Sequence, residues 1–145
     1  MDQTQKIRNE IQKEIDDSLE ATRTQDIDEY MKRMPVGALI YDESGEITTR
    51  EKQREYILRD WAIIDTTLNI NCQIDSLQVF ADSAIVYTSQ RWERMMFHRD
   101  GINKDTVITT QIHKELWKKG INRWENYQIE ELGGQIFING KRYFE

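Results

Sequence analysis

The chain has 145 residues, 38% apolar and 32% charged, which suits one solvated domain with a single core and needs no staple. Twenty-six acidic against 20 basic residues give a net charge of -6, which opposes general binding to nucleic-acid phosphates. The lone Cys72 excludes an intramolecular disulfide and a thiolate zinc cluster, and the charged opening MDQTQKIRNEIQKEIDDSLE offers no signal peptide or membrane span, so a cytoplasmic protein with no membrane partner is expected.

From Thr4 to about Arg23, Ile7, Ile11, Ile15 and Leu19 fall on one helical face. Asp26 with Glu29 opens a second helix carrying Ile27, Tyr30, Met31 and Met34, which Pro35 ends. A short strand over 37–41 is followed by the turn Asp42-Glu43-Ser44-Gly45, and Ile47 begins a brief return strand. Thr48 and Glu51 then cap a third helix reaching about Leu68, striped by Ile57, Trp61, Ile64 and Leu68.

From Ile70 the period changes to two, and strands are expected over 70–80, 83–98, 104–118 and 122–132. A last segment over 135–138 meets the tight-turn pair Asn139-Gly140, and Tyr143 and Phe144 pair back on it. Helices first and a meandering sheet last predict a single α+β domain over residues 1–145. Its N-terminal helices pack in the concave face of a curved, mainly antiparallel sheet, a cystatin-like cone whose open end could hold a ligand.

This order resembles the SnoaL-like group of the nuclear-transport-factor-2-like superfamily, which also contains ketosteroid isomerase. The resemblance is carried by Gln25 to Tyr30, Tyr41 to Gly45, Ala84 to Val86, and Trp117 followed seven residues later by Trp124. It implies a small-molecule-binding domain of the lyase or isomerase type, and it aligns Asp42 with the general base of the isomerase. The isomerase tyrosine that donates a hydrogen bond to substrate falls near Ser18 here. Two readings of Asp42 stay open: a base whose pKa is raised by desolvation, or an ordinary turn aspartate bonded to its own backbone.

Candidate ligand-binding residues are the aromatics Tyr41, Trp61, Trp92 and Trp117, all but Trp92 more simply read as core. Thr88, Gln90 and Arg94 join them because they share a strand face with Trp92, and His113 because it lies mid-strand. His98 reads as a turn residue, and no metal-ligand spacing, nucleophile elbow, Walker loop or dinucleotide fingerprint is present, so neither metal nor cofactor is expected.

Two functions follow. One is a cone binding a small apolar or aromatic ligand, with Asp42 as base. The other is a non-catalytic module that forms a homodimer through the outer sheet face. For the long strand, the expected cavity side is Val86, Thr88, Gln90, Trp92 and Arg94, and the expected partner side is Ile85, Tyr87, Arg91 and Met95.

Overall fold

A computed structural model of the protein describes residues 2–144. Helix α1 spans Gln3–Thr24; Asp2 caps it by accepting from the Gln5 amide at 2.7 Å, and Gln25 ends it in the left-handed region at φ 55. Its isoleucine stripe, Ile7, Ile11 and Ile15, is buried against Ile74, Val86, Trp117 and Trp124 of the sheet. Helix α2 is a single short turn, Ile27–Met31, capped by Asp26 through the Glu29 amide.

Arg33 locks these two helices together. Its buried guanidinium donates to the backbone carbonyls of Glu29 and Tyr30 and lies 3.5 Å from Glu14.

Strands β1 (Leu39–Tyr41) and β2 (Ile47–Thr49) form a small hairpin around Gly45, whose φ of 88 the turn requires. Helix α3 spans Arg50–Trp61, capped by Thr49 rather than Thr48. The expected stripe out to Leu68 is corrected: the helix stops at Trp61, and Ile64 and Leu68 lie on the strand that follows. The β-branched run Ile63, Ile64, Thr66 and Thr67 favours extended backbone, and pairing with the next strand outweighs the helical spacing.

Four long strands complete the chain: β3 (Ile64–Phe80), β4 (Ser83–Phe97), β5 (Lys104–Lys119) and β6 (Trp124–Ile138). Strand β6 runs straight through Gly133-Gly134, where a break was expected. A short β7 (Lys141–Tyr143) pairs back on it across the Asn139-Gly140 turn, in which both residues have positive φ.

The sheet order is β2-β1-β6-β5-β4-β3, antiparallel except for β1 beside β6. Register shifts at Thr66, Asn69 and Ser76 in β3, and beside His113 and Trp117 between β5 and β6, bend the sheet around α1.

Two apolar clusters fill the concave side. One is centred on Ile11, Val86 and Trp117; the other joins Met31, Met34, Ile40, Ile57, Trp61 and Ile64. Among the described residues, no helix is long and apolar enough to cross a membrane.

Candidate functional site

On β4, Ala84, Val86 and Thr88 are fully buried beneath α1, and the same parity carries Gln90, Trp92 and Arg94 onward toward the cone's mouth. The apolar layer ends at Thr88. Beyond it a cavity of ≈ 350 Å³ opens between the sheet, α1 and α3, walled by Leu19, Ile40, Ile57, Trp61 and Ile129 on its apolar side. A smaller pocket of ≈ 80 Å³ continues inward to Cys72, Glu115 and Trp117, sharing Ser18, Tyr30, Gln90 and His113 with the larger one.

His113, Glu115 and Trp117 alternate on β5 and therefore share the concave face. The Trp117 indole N–H donates to Glu115 Oε1 at 2.9 Å, and the other oxygen of Glu115 lies 3.3 Å from His113 Nδ1. A carboxylate only accepts, so Nδ1 carries a proton, and in the neutral imidazole the lone pair is on Nε2. His113 Nε2 is buried and has no hydrogen-bond partner in the protein. This arrangement is a carboxylate-oriented imidazole with a buried, unpaired nitrogen on a residue that lines the cavity.

Two strands flank it in register. Thr88 of β4 and Glu131 of β6 are the direct neighbours of His113. Glu131 lines the cavity, and partial burial raises its carboxyl above the ordinary value against the pull of His113. Tyr30 stands edge-on to Trp61 at 5.8 Å between centroids, and burial pushes its phenol up to about 12, so it stays protonated. The Ser18 hydroxyl donates to the Ile15 carbonyl of its own helix at 2.6 Å.

Nearer the mouth, the Arg94 guanidinium stacks on the Trp92 ring at 4.0 Å and donates through Nη1 to Thr109 Oγ1 and the Trp92 carbonyl. Arg94 is only 8% exposed, and its Nε is buried without a partner. Burial lowers its pKa to about 10, opposed by Asp60, whose carboxyl burial in turn raises.

Asp42 lies elsewhere. Its Oδ1 accepts from the Ser44 hydroxyl and from the Ser44 and Glu46 amides, and these bonds hold its carboxyl below the ordinary value. It edges an open outer cleft of ≈ 630 Å³ with Gly133, Gly134, Arg142 and Tyr143; this cleft shares Thr109, Gln111 and Glu131 with the cavity but does not include His113.

The structure thus brings Trp61, Gln90, Trp92, Arg94, His113 and Trp117 to the cone. Thr88 is sealed beneath the cavity floor. Tyr41 lines neither the cavity nor the inner pocket, and Asp42 faces the outer cleft.

Sequence reasoning passed over Glu115, Glu131 and Asp60. For Glu115 the signal was available in the alternation His113, Glu115, Trp117, which on any strand puts a base, its orienting carboxylate and that carboxylate's donor on one face. Among the described residues, no group of three or more His, Cys, Asp or Glu side chains comes together as a metal-ligand set.

No protein-family model matches the sequence, and no curated protein matches it significantly. Solved structures do match. An NTF2-like protein from Cytophaga hutchinsonii shares 15% identity at TM-score 0.67, over 90% of this chain and 98% of its own. A scytalone-dehydratase-like protein from Novosphingobium aromaticivorans shares 9% identity at TM-score 0.73, over 87% and 84%. A hexachlorocyclohexane dehydrochlorinase, LinA type 2, shares 13% identity at TM-score 0.69, over 95% and 86%. The chain therefore has the nuclear-transport-factor-2-like, SnoaL-like fold.

Proposed function

We propose that this protein binds a small organic molecule in the cone and catalyses a proton-transfer reaction of the lyase or isomerase type, with His113 rather than Asp42 as general base. The observation that carries this is the buried, unpartnered Nε2 of His113, oriented from behind by Glu115. In the reaction, Nε2 takes a proton from a substrate carbon. The electron pair left behind either expels a leaving group, as in an elimination, or enters an adjacent carbonyl as an enolate that is reprotonated elsewhere.

Tyr30, whose phenol burial keeps protonated, is available as a donor to the departing or developing oxygen. The dehydratase and dehydrochlorinase among the similar structures are named for eliminations, which supports this reaction class. Asp42 is the weaker candidate, because its turn bonds lower its pKa and so its basicity. A cytoplasmic setting fits the free thiol of Cys72.

Nitrobenzisoxazole tests the base directly, since removal of its ring proton opens the ring to a coloured phenolate. Wild-type protein should exceed the buffer-catalysed rate, H113Q should lose about 10²-fold or more, and D42N should keep the wild-type rate. Retention of turnover in H113Q, or its loss in D42N, would sink the assignment.

A second reading, compatible with the first, is homodimerisation through the outer sheet face, favoured by the exposed Tyr87, Ile112 and Leu132 on it or at its edge. Sedimentation equilibrium decides it, and a monomer across the accessible concentration range removes it.

A further inference from the structure

Arg94 is a buried cation without an ion-pair partner. Its guanidinium stacks on Trp92, and Nη1 is the nitrogen used in hydrogen bonding among the described residues, leaving the edge formed by Nε and Nη2 unpaired. No carboxylate among the described residues lies within ion-pair distance of it; Asp60, the acidic group that acts on it electrostatically, lines the same cavity beyond that distance. A desolvated charge with no counter-ion is expensive to keep. One side of the cavity, from Ile57 and Trp61 inward to Ile40 and Ile129, is apolar, while Gln53, Gln90, Gln111 and His113 line the other.

We propose that Arg94 is the anchor for a ligand carboxylate, and that the molecule taken up by the cone is an elongated organic acid with an apolar body. An Nε–Nη2 edge presents two parallel donors in one plane, which matches the two oxygens of a carboxylate. The stack on Trp92 holds that plane fixed before the ligand arrives.

Length follows from register. Nη1 reaches Thr109, and His113 lies four residues further along β5, roughly 13 Å of strand at about 3.3 Å per residue. An acid held at Arg94 must extend well beyond its carboxylate before any carbon meets His113 Nε2.

The inference rests on the cone being a ligand site and deepens that reading by naming the ligand's chemistry. It is tested with phenylpropionate, its uncharged analogue phenylpropionamide, and phenyl phosphate, titrated into the full chain by calorimetry. Phenylpropionate should bind at least about tenfold tighter than the amide, a difference of about 1.4 kcal/mol. R94Q and R94M, the latter filling the same space, should erase the preference, R94K should keep only part of it, and H113Q should retain it.

Equal binding of acid and amide by wild type would overturn the anchor, as would an undiminished preference in R94Q and R94M. Tighter binding of phenyl phosphate would overturn the carboxylate assignment. Absence of binding by acid and amide alike would also overturn the anchor. Nitrobenzisoxazole turnover that is lost in H113Q would still stand through all of these, so the two failures are distinguishable.

Discussion

Trp117 and Trp124 are both almost sealed, at 1% and 3% exposure, and both belong to the same core cluster. Each donates its indole N–H to a carboxylate, at 2.9 Å to Glu115 and 2.7 Å to Glu10. Replacing either by Phe trims a comparable piece of buried ring, a loss of about 2 kcal/mol. What differs is the acceptor left behind. The Glu115 side chain is 8% exposed, so its oxygen is stranded, and a buried bond to a charged group is worth about 1.5–3 kcal/mol. The Glu10 side chain is 30% exposed and keeps Lys119 at 2.9 Å, so water and lysine replace most of what is lost.

W117F should therefore be less stable than wild type by about 4 kcal/mol and W124F by about 2–3 kcal/mol. Urea unfolding followed by circular dichroism measures both, with the comparison made at constant slope. W117F should also slow nitrobenzisoxazole turnover, because Glu115 loses the bond that fixes it behind His113, whereas W124F should not. Equal losses of stability, or a larger loss in W124F, would refute the claim that a buried carboxylate is the difference.

Other consequences are as concrete. A Cβ on Gly134 would sit 2.3 Å from the Thr110 carbonyl of the neighbouring strand, so G134A should lose about 2–3 kcal/mol, while G133A, facing open space, should be close to neutral by the same urea assay. Burial pushes the Cys72 thiol up to about 12, so reaction with an aromatic disulfide reagent at pH 8 should be slow in the folded protein and fast in urea. The Glu131 pKa is raised on folding, so its penalty is fully present above the folded value and vanishes below the unfolded one. E131Q should raise the urea midpoint at neutral pH, and the gain should fade as pH drops through that window; a gain that persists in acid would contradict the desolvation account.

Much of the fold was legible because its signals are local. The four-residue spacing of Ile7, Ile11 and Ile15 marks a buried helical stripe, the alternation through Val86 and Thr88 sets which face of β4 looks inward, and Asn139-Gly140 marks a tight turn. The misreadings arose where two periods fit the same residues. Trp61, Ile64 and Leu68 satisfy a helical spacing, yet Ile64 and Leu68 lie on a strand, because β4 offers pairing partners from Met96 down to Trp92 that sequence alone does not display. Gly133-Gly134 reads as a break, yet it is where β6 passes close against Thr110 and Gln111.

The site was half legible for a different reason. Which residues face the cone follows from parity, but the chemistry of an ionisable group depends on what it touches, and those contacts are long-range. Asp42 and Glu131 show this within one region of the molecule. Asp42 stands where the resemblance suggests a desolvated base, and its own turn supplies three donors that favour its charge. Glu131, unremarkable in sequence, is raised by burial beside His113.

The same logic separates the two histidines. His98 donates Nε2–H to Asp105 at 2.9 Å near the β4–β5 turn, on a side chain about half exposed to water. His113 turns Nδ1 to a buried carboxylate and leaves Nε2 empty-handed inside a cavity. In a folded interior an unmet acceptor is a standing cost, and a ligand proton is the partner that would remove it.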